Sequence, residues 1–303
     1  TSPSDSNTYK IPEGFTFGGE ELSGLWMGKF ETTGIITEAC TNEECTTADL
    51  SIKPNLISVR SQTISSFFYA SRSMQNATNA SKYGFNVIGA GTMDVHMAKS
   101  SEWGIVAYLS QSKYGKHGNI LYSGSEKEVN ANNCANYITG IGGDTPTAPS
   151  SATTCTTNTY ETAQGQAAST TGTIYGVYDM SGGAWEYVMG NYNHISGASS
   201  TIDNSNSGFV GENGPEEGGA QWSDAKYYDL YTSEDPALSY KVGDATYETK
   251  EWYQTTFSFV TASSPWIQKG GTHYELQKNR LFSSTSNYGH SGDPNGFRLI
   301  LTP

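Results

Sequence analysis

Positive charge is scarce in this sequence. Its 303 residues hold 17 Lys and Arg against 30 Asp and Glu, a net charge of -13. Such a chain repels a phosphate backbone on average, and no basic stretch with interleaved aromatics offsets the repulsion, which argues against nucleic acid as a partner. Long apolar runs are missing too. None approaches the roughly 20 residues of a membrane span, which argues against direct membrane insertion of this segment. No signal-like stretch opens the chain, and "TSPSDSNTYKIPEG" reads as a polar linker over residues 1–14; prior removal of a leader or anchor would leave the same start. Charged residues make up only 16% and hydrophobic ones 35%, both low for a cytosolic enzyme. Familiar catalytic signatures are lacking. There is no Gly-x-Ser-x-Gly and no Walker sequence, and "NVIGAGT" (86–92) lacks the third glycine of a dinucleotide loop. The carboxylate pairs Glu20-Glu21 and Glu216-Glu217 are adjacent and read as solvated charge. The five histidines, His96, His117, His194, His273 and His290, show no facial-triad spacing and read as polar surface.

What is present is glycine, tyrosine and small polar residues. With 34 Gly and 20 Tyr, loops should be abundant and aromatic rings should fill a core short of leucine. Four cysteines, Cys40, Cys45, Cys134 and Cys155, fall in two polar stretches, "CTNEEC" and "CANYITGIGGDTPTAPSSATTC". Each looks like a loop closed by its own pair, one of three possible connectivities. Neither stretch has CxxC spacing or a neighbouring histidine, which argues against zinc. Their even number and polar setting favour disulfides and an oxidising, extracellular compartment; four free cytosolic thiols are the alternative.

Along the chain, "LISVRSQTISSFFYASRSMQ" (Leu56–Gln75) has helical spacing of its apolar residues and reads as an amphipathic helix. A second helix is expected within Met93–Gly115, capped by Ser100 or Ser101. Residues 116–172 and 193–250 read as long irregular inserts in a single domain spanning 15–303; the second holds a tyrosine cluster, "AKYYDLY". "GVYDMSGGAWEYVMG" (Gly176–Gly190) reads as apolar run, tight turn and strand. Gly182 and Gly183 suit positive φ, and Asp179 and Ser181 suit turn hydrogen bonds. Trp185 and Tyr187 alternate with Glu186, which predicts a strand buried on one face. "GFRLIL" (Gly296–Leu301) reads as the last strand. Trp185, Trp266, Leu281, Phe282 and Phe297 are expected in the core. Few helices, short strands and long loops define an α+β class.

The order of "LWMGKFETTG", "SEWGIVAYL", "GVYDMSGGAWEYVMG", "KGG" and "NGFRLIL" resembles the sulfatase-modifying-factor family, which includes the formylglycine-generating enzyme, over about residues 15–301. The family's Glu-x-Thr, Ala-Tyr, Gly-x-x-Asp-Met-x-Gly-Asn-x-Trp-Glu, Arg-Gly-Gly and Gly-Phe-Arg read here as Glu31-Thr32-Thr33, Ala107-Tyr108, Gly176–Glu186, Lys269-Gly270-Gly271 and Gly296-Phe297-Arg298. The resemblance implies a C-type-lectin-like fold with two helices, small antiparallel sheets, much irregular coil and termini close together. The enzyme holds copper through two cysteines lying between Arg-Gly-Gly and Gly-Phe-Arg. Here that segment, Thr272–Pro294, has none, so the resemblance implies a non-catalytic chain without a cofactor. Structural calcium, which the family often holds near Gly-Asn-x-Trp-Glu, loses a ligand because Gly183 stands in place of Asn, although Glu186 remains.

Non-enzymatic members of the family use the scaffold to display a ligand-binding surface. They include the variable proteins of diversity-generating retroelements and pilin-linked surface proteins of gut Firmicutes, which this chain also resembles. The variable face precedes the last strand, here Thr272–Asn295. His273, Tyr274, Asn279, Arg280, Asn287, Tyr288, His290, Asp293 and Asn295 in that stretch suit recognition, since Tyr supplies contact area and the polar residues supply adaptable hydrogen bonds. Diversified AAC codons cannot yield Glu, Gln or Lys, so Glu275, Gln277 and Lys278 would be fixed. The expectation is an extracellular or cell-surface bacterial domain that binds a protein or glycan ligand on another cell or phage. Its N-terminal linker would join it to a pilus or surface anchor. The rivals are a metal-dependent enzyme of the same family and a structural pilus or tip subunit.

Overall fold

The computed structural model describes residues 10–85, 93–118, 128–146, 155–197, 206–210, 219–250, 252–274 and 280–303. The "NVIGAGT" stretch, Glu216-Glu217 and, in the expected binding face, Glu275, Gln277, Lys278 and Asn279 lie outside the described residues. The first half contains β1 (Thr16–Phe17), β2 (Glu20–Glu21), β3 (Trp26–Met27), β4 (Thr33–Ile36), β5 (Ala48–Ser51), α1 (Ile64–Ser73), α2 (Ala80–Tyr83), β6 (Asp94–Met97) and α3 (Ser100–Leu109). The second contains α4 (Ala163–Gln166), β7 (Trp185–Tyr192), β8 (Asp229–Tyr231), α5 (Pro236–Ser239), β9 (Trp266–Lys269), β10 (Ser284–Asn287), β11 (Asn295–Phe297) and β12 (Leu299–Thr302). Among the described residues, two helices longer than a turn, small sheets and much coil make the protein α+β.

The largest sheet runs β10-β9-β7-β11, with β8 also on β7. Strand β7 is parallel to β11 and β8 and antiparallel to β9. Its side chains alternate between two cores. Tyr187 and Met189 join Phe67, Trp266 and Phe297 beneath α1. Val188 joins Trp103 and Ile267 beneath α3. The strand is therefore buried on both faces, not on one as the alternation suggested. Glu186, which gave the polar beat of that alternation, is itself buried.

Helix α1 begins eight residues later than the start of the apolar pattern, at the Thr63 cap, whose hydroxyl accepts from the Ser66 N–H at 3.3 Å. The preceding residues are spent on cross-links instead: the Val59 N–H reaches Thr32 O at 2.7 Å, and Ser61 has φ 63°. All ten residues of α1 are buried. Its serines survive burial because Ser71 and Ser73 donate to the carbonyls three residues back, at 2.6 and 2.8 Å. Neither Ser100 nor Ser101 caps α3. The cap is Lys99, whose N–H donates to the Glu102 carboxylate at 2.9 Å.

The expected last strand is divided at Arg298. Strand β11 pairs with β7, whereas β12 joins a second sheet, β3-β12-β6. Leu301 there faces Trp26, so the first and last parts of the domain are neighbours. At the division the Arg298 side chain turns inward. It donates from Nε to Glu186 at 2.9 Å, from Nη1 to Gly28 O at 2.8 Å and from Nη2 to Tyr178 O at 2.9 Å. Glu186 also accepts from the Trp103 indole at 3.2 Å. Its carboxylate is thus committed to the fold, the position where the resemblance had left an oxygen for calcium.

The Ser-Gly-Gly turn locks onto this centre. Gly182 and Gly183 have φ 76° and 72°. A Cβ at Gly182 would lie 2.3 Å from Asn132 O, and one at Gly183 would lie 2.3 Å from a Glu31 carboxylate oxygen. Asp179 accepts from Asn132 Nδ2 and the Gly140 N–H, both at 2.9 Å. Both disulfides form with the expected pairing, Cys40–Cys45 and Cys134–Cys155. They fit an oxidising, extracellular-type environment, and no helix among the described residues is long and apolar enough to cross a membrane.

Aromatic rings do fill the core. Phe209 stacks on Trp222 at 4.9 Å, and Trp222 on Trp266 at 5.4 Å. Within "AKYYDLY", Tyr227 and Tyr231 are buried, so most of that cluster is packing. At the N-terminal end the chain is docked by Glu13, whose N–H donates to Val242 O at 3.0 Å. Packing thus begins inside the stretch that reads as linker.

Replacing Arg298 with Ala strands Glu186 and two carbonyls in the interior. Urea unfolding should show a loss of about 3–5 kcal/mol, the usual cost of breaking a buried pair. A loss below about 1 kcal/mol would deny Arg298 this central place.

Candidate functional site

The residues expected to form a binding face sort into two groups around the Gly292–Asn295 turn. The first is a ring of side-chain amides at one end of the large sheet. Gln268 Nε2 donates to Asn295 Oδ1 at 2.7 Å, and Asn287 Nδ2 donates to Gln268 Oε1 at 3.2 Å. Tyr187 closes the ring: its hydroxyl donates to Asn287 Oδ1 at 2.8 Å and accepts from Asn295 Nδ2 at 3.3 Å. Register explains the gathering, because Tyr187 faces Gln268, Gln268 faces Thr285 and Asn295 faces Trp185. His290 joins through Nδ1, 2.9 Å from Asn287 Oδ1, and Tyr288 stacks on the His290 ring at 4.5 Å.

These groups surround a cleft of about 270 Å³ walled by Trp185, Gln268, Asn287, His290, Pro294 and Asn295. Thr256, Thr285 and Ser286 complete its lining with hydroxyls. Burial lowers the His290 pKa, so the ring is neutral at pH 7.

The second group lies on the other side of the turn. Asp293 is 2.7 Å from Arg60, and Arg60 sits 3.8 Å over the Tyr137 ring. Tyr137 meets His273 edge-on at 4.4 Å, and His273 meets Tyr274 at 4.8 Å. An ion pair this exposed adds little stability, but the guanidinium over Tyr137 and the edge-on rings beside it hold the turn.

Exposure divides the expected residues. Tyr274 is 37% exposed, and the Asp293 side chain is 73% exposed. Asn287, Tyr288 and His290 are half-buried. His273, Arg280 and Asn295 are only 5, 4 and 2% exposed, so they support the surface and do not form it. Asn279 lies outside the described residues. The reading of histidines as polar surface is also corrected: His96, His117 and His273 are all buried. His96 lies between Asp94 and Glu102, at 2.9 and 3.1 Å. Burial alone would lower its pKa, but those carboxylates overcome the penalty and raise it.

Sequence reading missed Gln268, Thr256, Thr285, Ser286, Arg60 and Tyr137; Trp185 is in the core as expected, 6% exposed, and also walls the cleft. A glutamine inside the buried strand "WIQK" was the available signal. Arg60 and Tyr137 carried none, because they reach the turn from distant parts of the chain.

The segment is anchored below by Glu128, which accepts from the Leu281 N–H at 3.1 Å. Burial pushes Glu128 up to about 7, and pushes Asp229, which accepts from the Ser101 N–H, up to about 6. A carboxyl raised on folding binds more protons in the folded state, so its contribution to stability falls as pH rises from about 4 to 7. His96, raised on folding, acts in the same direction above its ordinary value. His273 and His290, both lowered by burial, oppose it. Glu31 and Asp179, also raised by burial, act with the two acids, and the melting temperature should be several degrees higher at pH 5.5 than at 7.5. Glu128→Gln should reduce this dependence, whereas equal melting at both pH values in the unsubstituted protein would contradict the raised carboxyls.

No protein-family model matches the chain, and no curated protein matches it.

Proposed function

We propose that this is a non-catalytic ligand-binding domain of a bacterial surface or extracellular protein, built on the C-type-lectin-like scaffold of the sulfatase-modifying-factor family. The order of elements supports the scaffold: two helices, the Ser-Gly-Gly turn entering β7, and a terminal strand beside β3. The observation that carries the function is the fate of the cysteines. All four sit in disulfides remote in sequence from Thr272–Pro294, so no thiol of this chain is placed to hold copper as the enzyme does. The same segment lines part of a preorganised polar cleft and carries an exposed tyrosine. Rigid supports of this kind favour binding, because little freedom is lost when a partner docks.

Diversification, where it operates, would act on a narrower set than the whole segment. Changes at Asn287 or Asn295 would break the amide ring. Sequencing the gene across a natural population should therefore show substitutions at Tyr274, Tyr288 and Asp293, with Asn287, Asn295 and Gly296-Phe297-Arg298 constant. Substitutions scattered evenly over the chain would remove the diversified reading. On an array of glycans and extracellular proteins, Tyr274→Ala with Tyr288→Ala should weaken binding at least about tenfold. Unchanged binding would move the site elsewhere, and stoichiometric metal in the native protein would favour the enzyme.

A further inference from the structure

We infer that the cleft between Trp185 and Asn287 receives one ring of a neutral saccharide. This rests on the binding reading above and names the class of ligand.

Charge is the first argument. The chain carries 30 acidic and 17 basic residues, yet the cleft lining is made of amides, hydroxyls, one imidazole, an indole and a proline. A phosphate, carboxylate or ammonium entering it would lose water and find no counter-charge there, an expensive exchange. An apolar ligand would instead cover amides and hydroxyls that it cannot pair.

The direction of the hydrogen bonds also favours a saccharide. The Gly289 N–H donates to Asn287 Oδ1 at 3.1 Å, which fixes the amide orientation. Because Oδ1 is an acceptor, His290 Nδ1, 2.9 Å away, must carry the proton. A neutral ring with its proton on Nδ1 has a lone pair on Nε2. Among the described residues no partner takes that lone pair, so it accepts a hydrogen bond from a ligand hydroxyl. Asn287 and Gln268 each spend one amide hydrogen inside the ring, on Gln268 Oε1 and Asn295 Oδ1. Asn287, which is half-buried, has a second hydrogen for the ligand, whereas Gln268, only 2% exposed, holds the ring in place. Thr256, Thr285 and Ser286 add hydroxyls; those of Thr285 and Ser286 are shared with Ser258 at 3.0 and 3.3 Å, and each keeps capacity for one further bond.

A pyranose meets this pattern. Its neighbouring hydroxyls donate and accept in alternation. Size agrees: about 270 Å³ is just below the roughly 300 Å³ at which pockets begin to take drug-sized molecules.

The test is titration calorimetry of the whole chain with neutral oligosaccharides selected from an array that also carries sialylated and sulfated glycans and extracellular proteins. The expected result is binding of neutral glycans over acidic ones, weakened about tenfold by His290→Leu, which removes one acceptor. Thr256→Val alters only a hydroxyl of the lining and should weaken the same binding several-fold, so the test stands even where His290→Leu fails to fold. Neutral-glycan binding unaffected by Thr256→Val and by a folded His290→Leu overturns the assignment to this cleft. Binding only to an acidic glycan or a protein, lost in the Tyr274→Ala, Tyr288→Ala variant, overturns the saccharide inference and leaves the binding reading standing. No binding to any array component by the folded protein overturns both.

Discussion

One buried guanidinium joins the parts of this domain. Arg298 lies where the chain leaves the large sheet for the small one, and its donors reach β7, the Gly28 carbonyl and the Tyr178 carbonyl together. A buried charge needs a partner, and Glu186 provides it from the middle of the sheet. Two more buried carboxyls, Glu31 and Asp179, surround the pair. One cation cannot balance three carboxylates in a low dielectric, and burial raises both Glu31 and Asp179 towards their protonated forms. The Ser-Gly-Gly turn passes between these acids. It has no room for a side chain at either glycine, so its shape follows from the electrostatic centre as much as from local turn preference.

The sequence made the class, both disulfide pairs and the main core aromatics legible. Those features are local: a spacing, a turn chemistry or a pair of cysteines in one loop. It misplaced features that depend on distant partners. The apolar pattern from Leu56 suggested a longer helix, but residues up to Ser61 are used to tie Thr32 and Asn295 to the core. Glu186 looked like the wet side of a strand because nothing near it in sequence announces Arg298. The candidate site shows the same division. Asn287, His290 and Asn295 were visible as polar residues in one segment, whereas Gln268 and Tyr187 come to them only through strand register.

Polarity inside this protein is therefore not a sign of looseness. Ser71 and Ser73 of α1 return their hydroxyls to their own helix, the amides at the sheet end satisfy one another, and buried tyrosines reach carboxylates or carbonyls. Tyr227 donates to Asp94 at 2.7 Å, and Tyr69 to Gln221 O at 2.6 Å. A chain with few aliphatic residues can build a close-packed interior in this way, provided that each buried polar group finds a partner. The same economy gives the cleft its character: its walls are held by hydrogen bonds made before any ligand arrives.

The pairing of β3 with β12 has a mechanical meaning. It brings Trp26 and Met27, near the start of the chain, against Leu301 and Ile300 of its final strand, so one small sheet closes the chain on itself. The strand contacts that make this closure involve none of the residues lining the cleft, so the closure and the cleft can vary separately.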